Sequence, residues 1–127
     1  MSISNFIETT VMDALFNNQS PAAAQLANRY IKLHIGDPGE DGLNNPAVET
    51  TRKAITGAAS ANGVFTSVND LIWTNVAATE DYTFASLWDT VGPAGGNCLW
   101  IGTITANPVT AGDTFTIPTG SLTVTLD

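Results

Sequence analysis

Positive charge is what this sequence lacks most. Four basic side chains, Arg29, Lys32, Arg52 and Lys53, stand against twelve carboxylates, a formal net charge of −8. Nucleic-acid binding needs a stripe of Lys and Arg to neutralise phosphates, and four cations in 127 residues cannot supply one. An anionic membrane surface is disfavoured for the same reason. There is one cysteine, Cys98, and one histidine, His34. A single cysteine excludes an intramolecular disulfide framework. With one histidine it falls short of the four ligands of a closed zinc site. No apolar run approaches the ~18 residues that mark a membrane-spanning helix. The opening Met1-Ser2-Ile3-Ser4-Asn5 has neither the basic nor the apolar region of a secretory signal, so synthesis in a reducing cytoplasm is expected.

Charge of either sign is scarce as well. Charged residues make up 13% of the chain, about half the ~25% usual in soluble domains. Thr, Ser, Asn and Gly must therefore cover the surface. Such a surface suits β-proteins and subunits that work packed against neighbours, and the acidic excess favours solubility before assembly. Apolar residues reach 43%, and a chain of this length buries roughly two-thirds of its unfolded surface. One domain over residues 1–127 is expected, with no linker and no internal repeat.

Residues 4–17 read as a short amphipathic helix, because Ile3, Phe6, Ile7, Val11, Ala14 and Leu15 recur near a 3.6-residue period. Ser4 or Asn5 can cap it, and Asn5 with Glu8 has capping-box spacing. Asn17, Asn18, Ser20 and Pro21 end it. A helix this short is marginal alone in water and must dock its apolar face. Residues 22–28 allow one further helical turn.

Beyond residue 29 the period becomes two. Tyr30–Ile35 places Ile31, Leu33 and Ile35 on one face and Tyr30, Lys32 and His34 on the other, a half-buried strand. Asp37-Pro38-Gly39-Glu40-Asp41-Gly42 is a dense turn signal. A polar edge strand is expected over Val48–Thr56. Short strands follow at Val64–Val68, Leu71–Val76, Tyr82–Asp89, Cys98–Thr105, Asp113–Ile117 and Leu122–Leu126. Turn signals every 8–12 residues imply a mainly β protein, an antiparallel β-sandwich or a jelly-roll-like barrel, with the helix at its N-terminal end and the β-domain over about 29–127.

Catalytic machinery is not evident. Nucleophilic catalysis needs a base beside the nucleophile. The sole base candidate, His34, lies mid-strand, and no Gly-x-Ser-x-Gly elbow accompanies it. Cys98, inside Asn97-Cys98-Leu99-Trp100-Ile101, reads as a small half-buried residue. The turn begins like a calcium-binding loop, but position 3 is Gly39 and position 12 is Val48, where a bidentate Glu is required. A different calcium site from Asp37, Glu40, Asp41 and Asn44 is conceivable; a solvated turn is favoured. A carboxylate pair for glycoside hydrolysis cannot be picked from loops, and Gly95-Gly96-Asn97 lacks the helix and Lys of a phosphate loop. No catalytic, cofactor or metal residue is assigned. Trp73, Trp88 and Trp100 could stack on sugars, but the apolar runs around Trp73 and Trp100 favour the core or a subunit interface. The candidate interface residues are therefore Phe6, Ile7, Val11, Leu15, Trp73 and Trp100.

In order and spacing, these motifs resemble a family of small tailed-phage proteins labelled tail fibre or minor tail proteins. The resemblance runs through the helix start Ser4-Asn5-Phe6-Ile7-Glu8 and the strand and turn from Tyr30 to Gly42. It continues through Thr51-Arg52-Lys53-Ala54-Ile55-Thr56, Leu87-Trp88-Asp89, Gly95-Gly96-Asn97, Ala111 to Phe115 and the Leu122 to Asp127 ending. It implies a non-enzymatic virion subunit made in the host bacterial cytoplasm, assembling with copies of itself and with tail or major capsid proteins. A capsid decoration protein that stabilises the head shell is the alternative, and a carbohydrate-binding receptor-recognition module a further one. Removal of residues 1–18 is then expected to leave a folded β-domain that no longer assembles.

Overall fold

The computed structural model describes residues 2–17, 29–57, 64–105 and 108–125. It begins with β1 (Ser2–Ile3) and α1 (Asn5–Phe16). Ser4 caps the helix by accepting the Ile7 amide at 3.3 Å, and its own hydroxyl donates to the Cys98 carbonyl at 2.5 Å. The helix start is thus tied to the sheet by the residue that caps it. Asn17 closes the other end, its amide donating to the Asp13 carbonyl. The further turn read at 22–28 lies outside the described residues.

The remaining elements are strands: β2 (Tyr30–His34), β3 (Lys53–Ala54), β4 (Val64–Thr66), β5 (Leu71–Trp73), β6 (Glu80–Asp81), β7 (Phe84–Trp88), β8 (Cys98–Thr103), β9 (Pro108–Val109), β10 (Phe115–Ile117) and β11 (Thr123–Thr125). A five-stranded sheet runs in the order β1-β8-β7-β2-β3, and three ribbons pair β10 with β5, β11 with β4 and β6 with β9. Every pairing is antiparallel. The architecture is a β-sandwich. The barrel alternative is not what forms: among the described residues the sheet stays open, with the two-residue strands β1 and β3 at its edges.

Between the layers lies the core. Ile31, Leu33, Ala85, Leu87, Leu99 and Trp100 from the sheet meet Leu71, Trp73 and Ile117 from the ribbons. Burying a side chain of this size contributes about 1.5–3 kcal/mol. The Phe115 ring lies 5.1 Å from Tyr82, edge-on, and 5.8 Å from Trp73. Phe6 and Ile7 pack against this core from the helix. Since β1 is also a sheet strand, residues 2–7 are part of the fold rather than an appended arm, so removing residues 1–18 strips an edge strand and two core contacts.

One register feature escapes a simple alternation. Leu87 pairs with Trp100 while Trp88 pairs with Cys98, so Leu99 is the extra residue of a bulge. The bulge turns both Leu99 and Trp100 into the main core and leaves Cys98 and Ile101 on the opposite face with Trp88.

That opposite face corrects the half-buried reading of β2. Lys32 and His34 are buried, and it is Ile35, placed on the core face by alternation, that is exposed. The strand ends at His34, and the 35–46 segment folds back over the second face. The edge strand expected over Val48–Thr56 shrinks to Lys53–Ala54. Side chains take its amides instead: the Glu80 carboxylate accepts from Val48 and Glu49, and Glu49 accepts from Thr51.

His34 is held neutral by its surroundings. Burial lowers its pKa from the ordinary 6.5, Lys32 and Arg52 push the same way, and bonds to the Asn44 and Asn45 backbone oppose. Below pH 6.5 the unfolded chain therefore binds a proton that the native chain refuses, and stability must fall as pH falls. The denaturant midpoint is expected to be flat above neutrality and to drop from about pH 6.5 with a slope of at most about 1.4 kcal/mol per pH unit. In His34→Gln the loss should begin only near about pH 5, where carboxylates start to titrate. An unchanged profile in the variant would contradict this assignment.

Candidate interaction surface

Although the sequence offers no Ser beside its histidine, the strand register provides one. Pairing of β2 with β7 sets Lys32 opposite Ser86 and His34 opposite Phe84, and His34 Nε2 comes 2.7 Å from Ser86 Oγ. His34 Nδ1 lies 3.0 Å from the Asn44 carbonyl, which can only accept. The Nδ1 position therefore carries the proton, and Nε2 accepts from the Ser86 hydroxyl. Trp88 Nε1–H donates to the same Ser86 oxygen at 2.6 Å. The groups form one satisfied line from Trp88 through Ser86 and His34 to Asn44.

This line has the parts of a nucleophile and its base without their access. Ser86 and His34 are both 0% exposed. The third position is a backbone carbonyl rather than a carboxylate, and the serine oxygen is already engaged by the indole. A substrate carbonyl reaches Ser86 only if the 35–46 segment lifts away. Cys98 offers no substitute: burial pushes its thiol up to about 12, far from the thiolate a nucleophile requires.

Cations on this face are bound to aromatic rings and neutral oxygens. The Arg52 guanidinium lies 4.3 Å from the Trp88 ring centre, and the Lys32 ammonium 5.7 Å from it. Arg52 Nη1 donates to the carbonyls of Thr90 and Gly95 and to the Thr90 hydroxyl at 3.0–3.1 Å. It thereby pins the 89–97 loop beside the sheet. Burial lowers the pKa of both cations.

Backbone geometry is the business of the Asp37–Gly42 turn. Asp37 and Asp41 each turn a carboxylate oxygen onto an amide two residues ahead, at 3.0 Å. Pro38 is fully buried, and Gly39 and Gly42 take φ of 74° and 73°. A Cβ at Gly42 would lie 2.7 Å from Cys98 Sγ and 2.8 Å from the Trp88 ring. The turn therefore seats backbone directly on the second face of the sheet. Among the described residues no group of three His, Cys, Asp or Glu side chains gathers into a metal site.

The candidate interface residues are dispersed. Trp73 and Trp100 are core residues, 1% and 2% exposed, and Trp88 is equally buried, so none of the three rings is presented as a stacking platform. Phe6 and Ile7 face the core and Val11 is half-buried; the side chain of Leu15 lies outside the described residues. The apolar side chains that do face outward are others, among them Met12 and Phe16 one helical turn apart, and Val68 and Ile72 on the ribbon layer. Met12 and Phe16 lie off the apolar stripe that the helical period picks out, while Phe6 and Ile7 in the first turn of α1 dock on the core.

A family described as podophage GP4 fiber I protein gp80 matches residues 2–125. The chain belongs to this family. A search of the curated proteins finds no match. As a phage fibre family member, the chain is a virion component of structural type, in keeping with its mainly β architecture. The resemblance drawn from the motifs above therefore points to the right family.

In this fibre-family fold the turn should be intolerant of side chains where it meets the sheet. Gly42→Ala combines a left-handed backbone with a clash against Cys98 and Trp88, and should cost about 2–4 kcal/mol. Gly120→Ala shares the left-handed backbone, with φ of 80°, but finds nothing within 4 Å. It should cost only about 1–2 kcal/mol. Chemical denaturation of the two variants checks the order.

Proposed function

We propose that this chain is a non-catalytic structural subunit of a tailed-phage fibre, made in the bacterial host and carried on the virion through contacts with copies of itself and with other tail proteins. The observation that carries this reading is the family match over nearly the whole chain. Two features of the molecule support it. The one serine–histidine pair described is sealed and spent on internal hydrogen bonds. The surface is sparse in charge, as at interfaces, whose centres are depleted of charged residues.

A receptor-recognition module that binds sugar by tryptophan stacking is less well supported, because all three indoles are buried. A place on the head as a decoration protein draws nothing from a family described as fibre. Cryo-electron microscopy of purified virions labelled with an antibody against this chain tests the reading. Label confined to the tail or its fibres is expected. Label in a regular array on the head would replace the fibre assignment with decoration, and virions free of the chain would overturn both. The purified protein should also hydrolyse ester, peptide and glycan substrates no faster than its Ser86→Ala variant.

A further inference from the structure

The groups around His34 suit the neutral ring only. Nδ1–H donates to the Asn44 carbonyl at 3.0 Å, and Nε2 accepts from Ser86 Oγ at 2.7 Å. The same serine oxygen accepts from the Trp88 indole at 2.6 Å. A proton added at Nε2 turns that acceptor into a donor. Ser86 would then accept from both rings, and its own hydroxyl hydrogen would face no acceptor among the described residues. His34 and Ser86 are 0% exposed and Trp88 2%, so water cannot relieve the mismatch while the site is closed.

Charge adds to the mismatch. Lys32 from β2 and Arg52 from the chain before β3 both disfavour a charged imidazole. β7 presents only neutral Ser86 and Trp88. β8 presents Cys98, whose thiol burial pushes up to about 12. The carboxylates of the neighbouring loops are turned elsewhere: Asp37 and Asp41 onto the Gly39 and Leu43 amides, and Asp89 onto Asn97. Glu40 is exposed.

Residues 36–44, which cover this face, are what can give way. They close mostly on themselves: the Gly42 amide donates to the Gly39 carbonyl, the Asn44 amide to the Pro38 carbonyl, and the Asn45 side chain to the Asp37 carbonyl. Backbone bonds from Ile35 to Asn45 and from Ala47 to Leu33 clamp the two ends. Pro38 and Gly42 are buried, but Leu43 is 61% exposed, so little apolar contact holds the cover down. Its bond to the sheet runs from the Asn44 carbonyl to the His34 ring.

We propose that residues 36–44 are an acid-released cover: protonation of His34 at Nε2 breaks its fit to Ser86 and lifts the cover off the Trp88–Cys98 face of the sheet. The charged ring keeps its bond to Asn44, which charge strengthens, so the imidazole turns toward the cover and away from the sheet. The closed form refuses a proton that the open form accepts. Opening therefore becomes more favourable as pH falls below about 6.5, by at most about tenfold per pH unit for one proton. The release is local, because the core around Trp73 and Trp100 lies on the other face of the sheet. No hydrolase is uncovered, since the proton that opens the site occupies the only base beside Ser86.

Cys98 reports the opening, being 5% exposed with Gly42 seated against its sulfur. Its rate of reaction with dithiodipyridine, which modifies thiols in acid, is divided by the rate for glutathione at the same pH. In the full chain that ratio should rise about fivefold or more from about pH 7 to about pH 5, while the near-ultraviolet circular dichroism of the tryptophan core is retained. His34→Gln cannot take the proton and should hold the ratio constant. Lys32→Met removes a repelling cation and should lower the ratio at about pH 5 relative to wild type. A wild-type ratio that does not change with pH overturns the proposal. So does a rise that persists in His34→Gln, or one accompanied by loss of the near-ultraviolet spectrum, which is global unfolding. Should His34→Gln fail to fold, Lys32→Met decides: an acid ratio equal to or above that of wild type overturns the proposal.

Discussion

The line of hydrogen bonds from Trp88 through Ser86 and His34 to the Asn44 carbonyl sets the terms for the rest of the molecule. A small antiparallel sheet ordinarily packs one face on the core and leaves the other to water. Here both faces are covered, one by the ribbons and one by the 35–46 segment. That segment has little apolar material to offer, and its Leu43 points outward. It is held by bonds to its own backbone and through His34, rather than by a hydrophobic layer. A buried imidazole, hydroxyl or indole N–H without a partner costs about 1–3 kcal/mol, and these three groups avoid it by satisfying one another. Trp88 serves further as the surface on which Arg52 and Lys32 rest their charges.

Much of this fold was legible where local chemistry dictates local structure. The helix cap at Ser4, the strand from Tyr30, the reversal at Asp37–Gly42 and the strands around Leu87 and Trp100 follow from capping, alternation and turn residues. Other features depend on partners distant in the chain. No periodicity reports that a bulge at Leu99 will send two successive residues into one core. None reports that Glu80 will take the amides of Val48 and Glu49, leaving two strand residues where nine were expected. The short ribbon of Glu80–Asp81 with Pro108–Val109 carries no sequence signal of its own. The serine beside His34 was invisible for the same reason: it lies 52 residues away, and only the β2–β7 register brings it there.

Function follows from the same division between interior and surface. The chemically capable side chains, His34, Ser86, Cys98 and Arg52, are all buried. They hold the loops at 35–46 and 89–97 in place. What remains for a partner to meet is a surface sparse in charge. A phage fibre subunit needs stable, specific contacts more than it needs a reactive group.

The sealed line at His34 is what separates a structural interior from a dormant active site, and nitrogen NMR of the histidine ring examines it most directly. The structure requires a neutral ring at pH 6.5, with the proton on Nδ1, a slowly exchanging Nδ1–H signal, and a titration midpoint below the ordinary 6.5. A ring that titrates at 6.5, carries its proton on Nε2 and exchanges freely with water would mean that Ser86 and His34 are open to solvent. The account of a closed, non-catalytic interior would then be wrong.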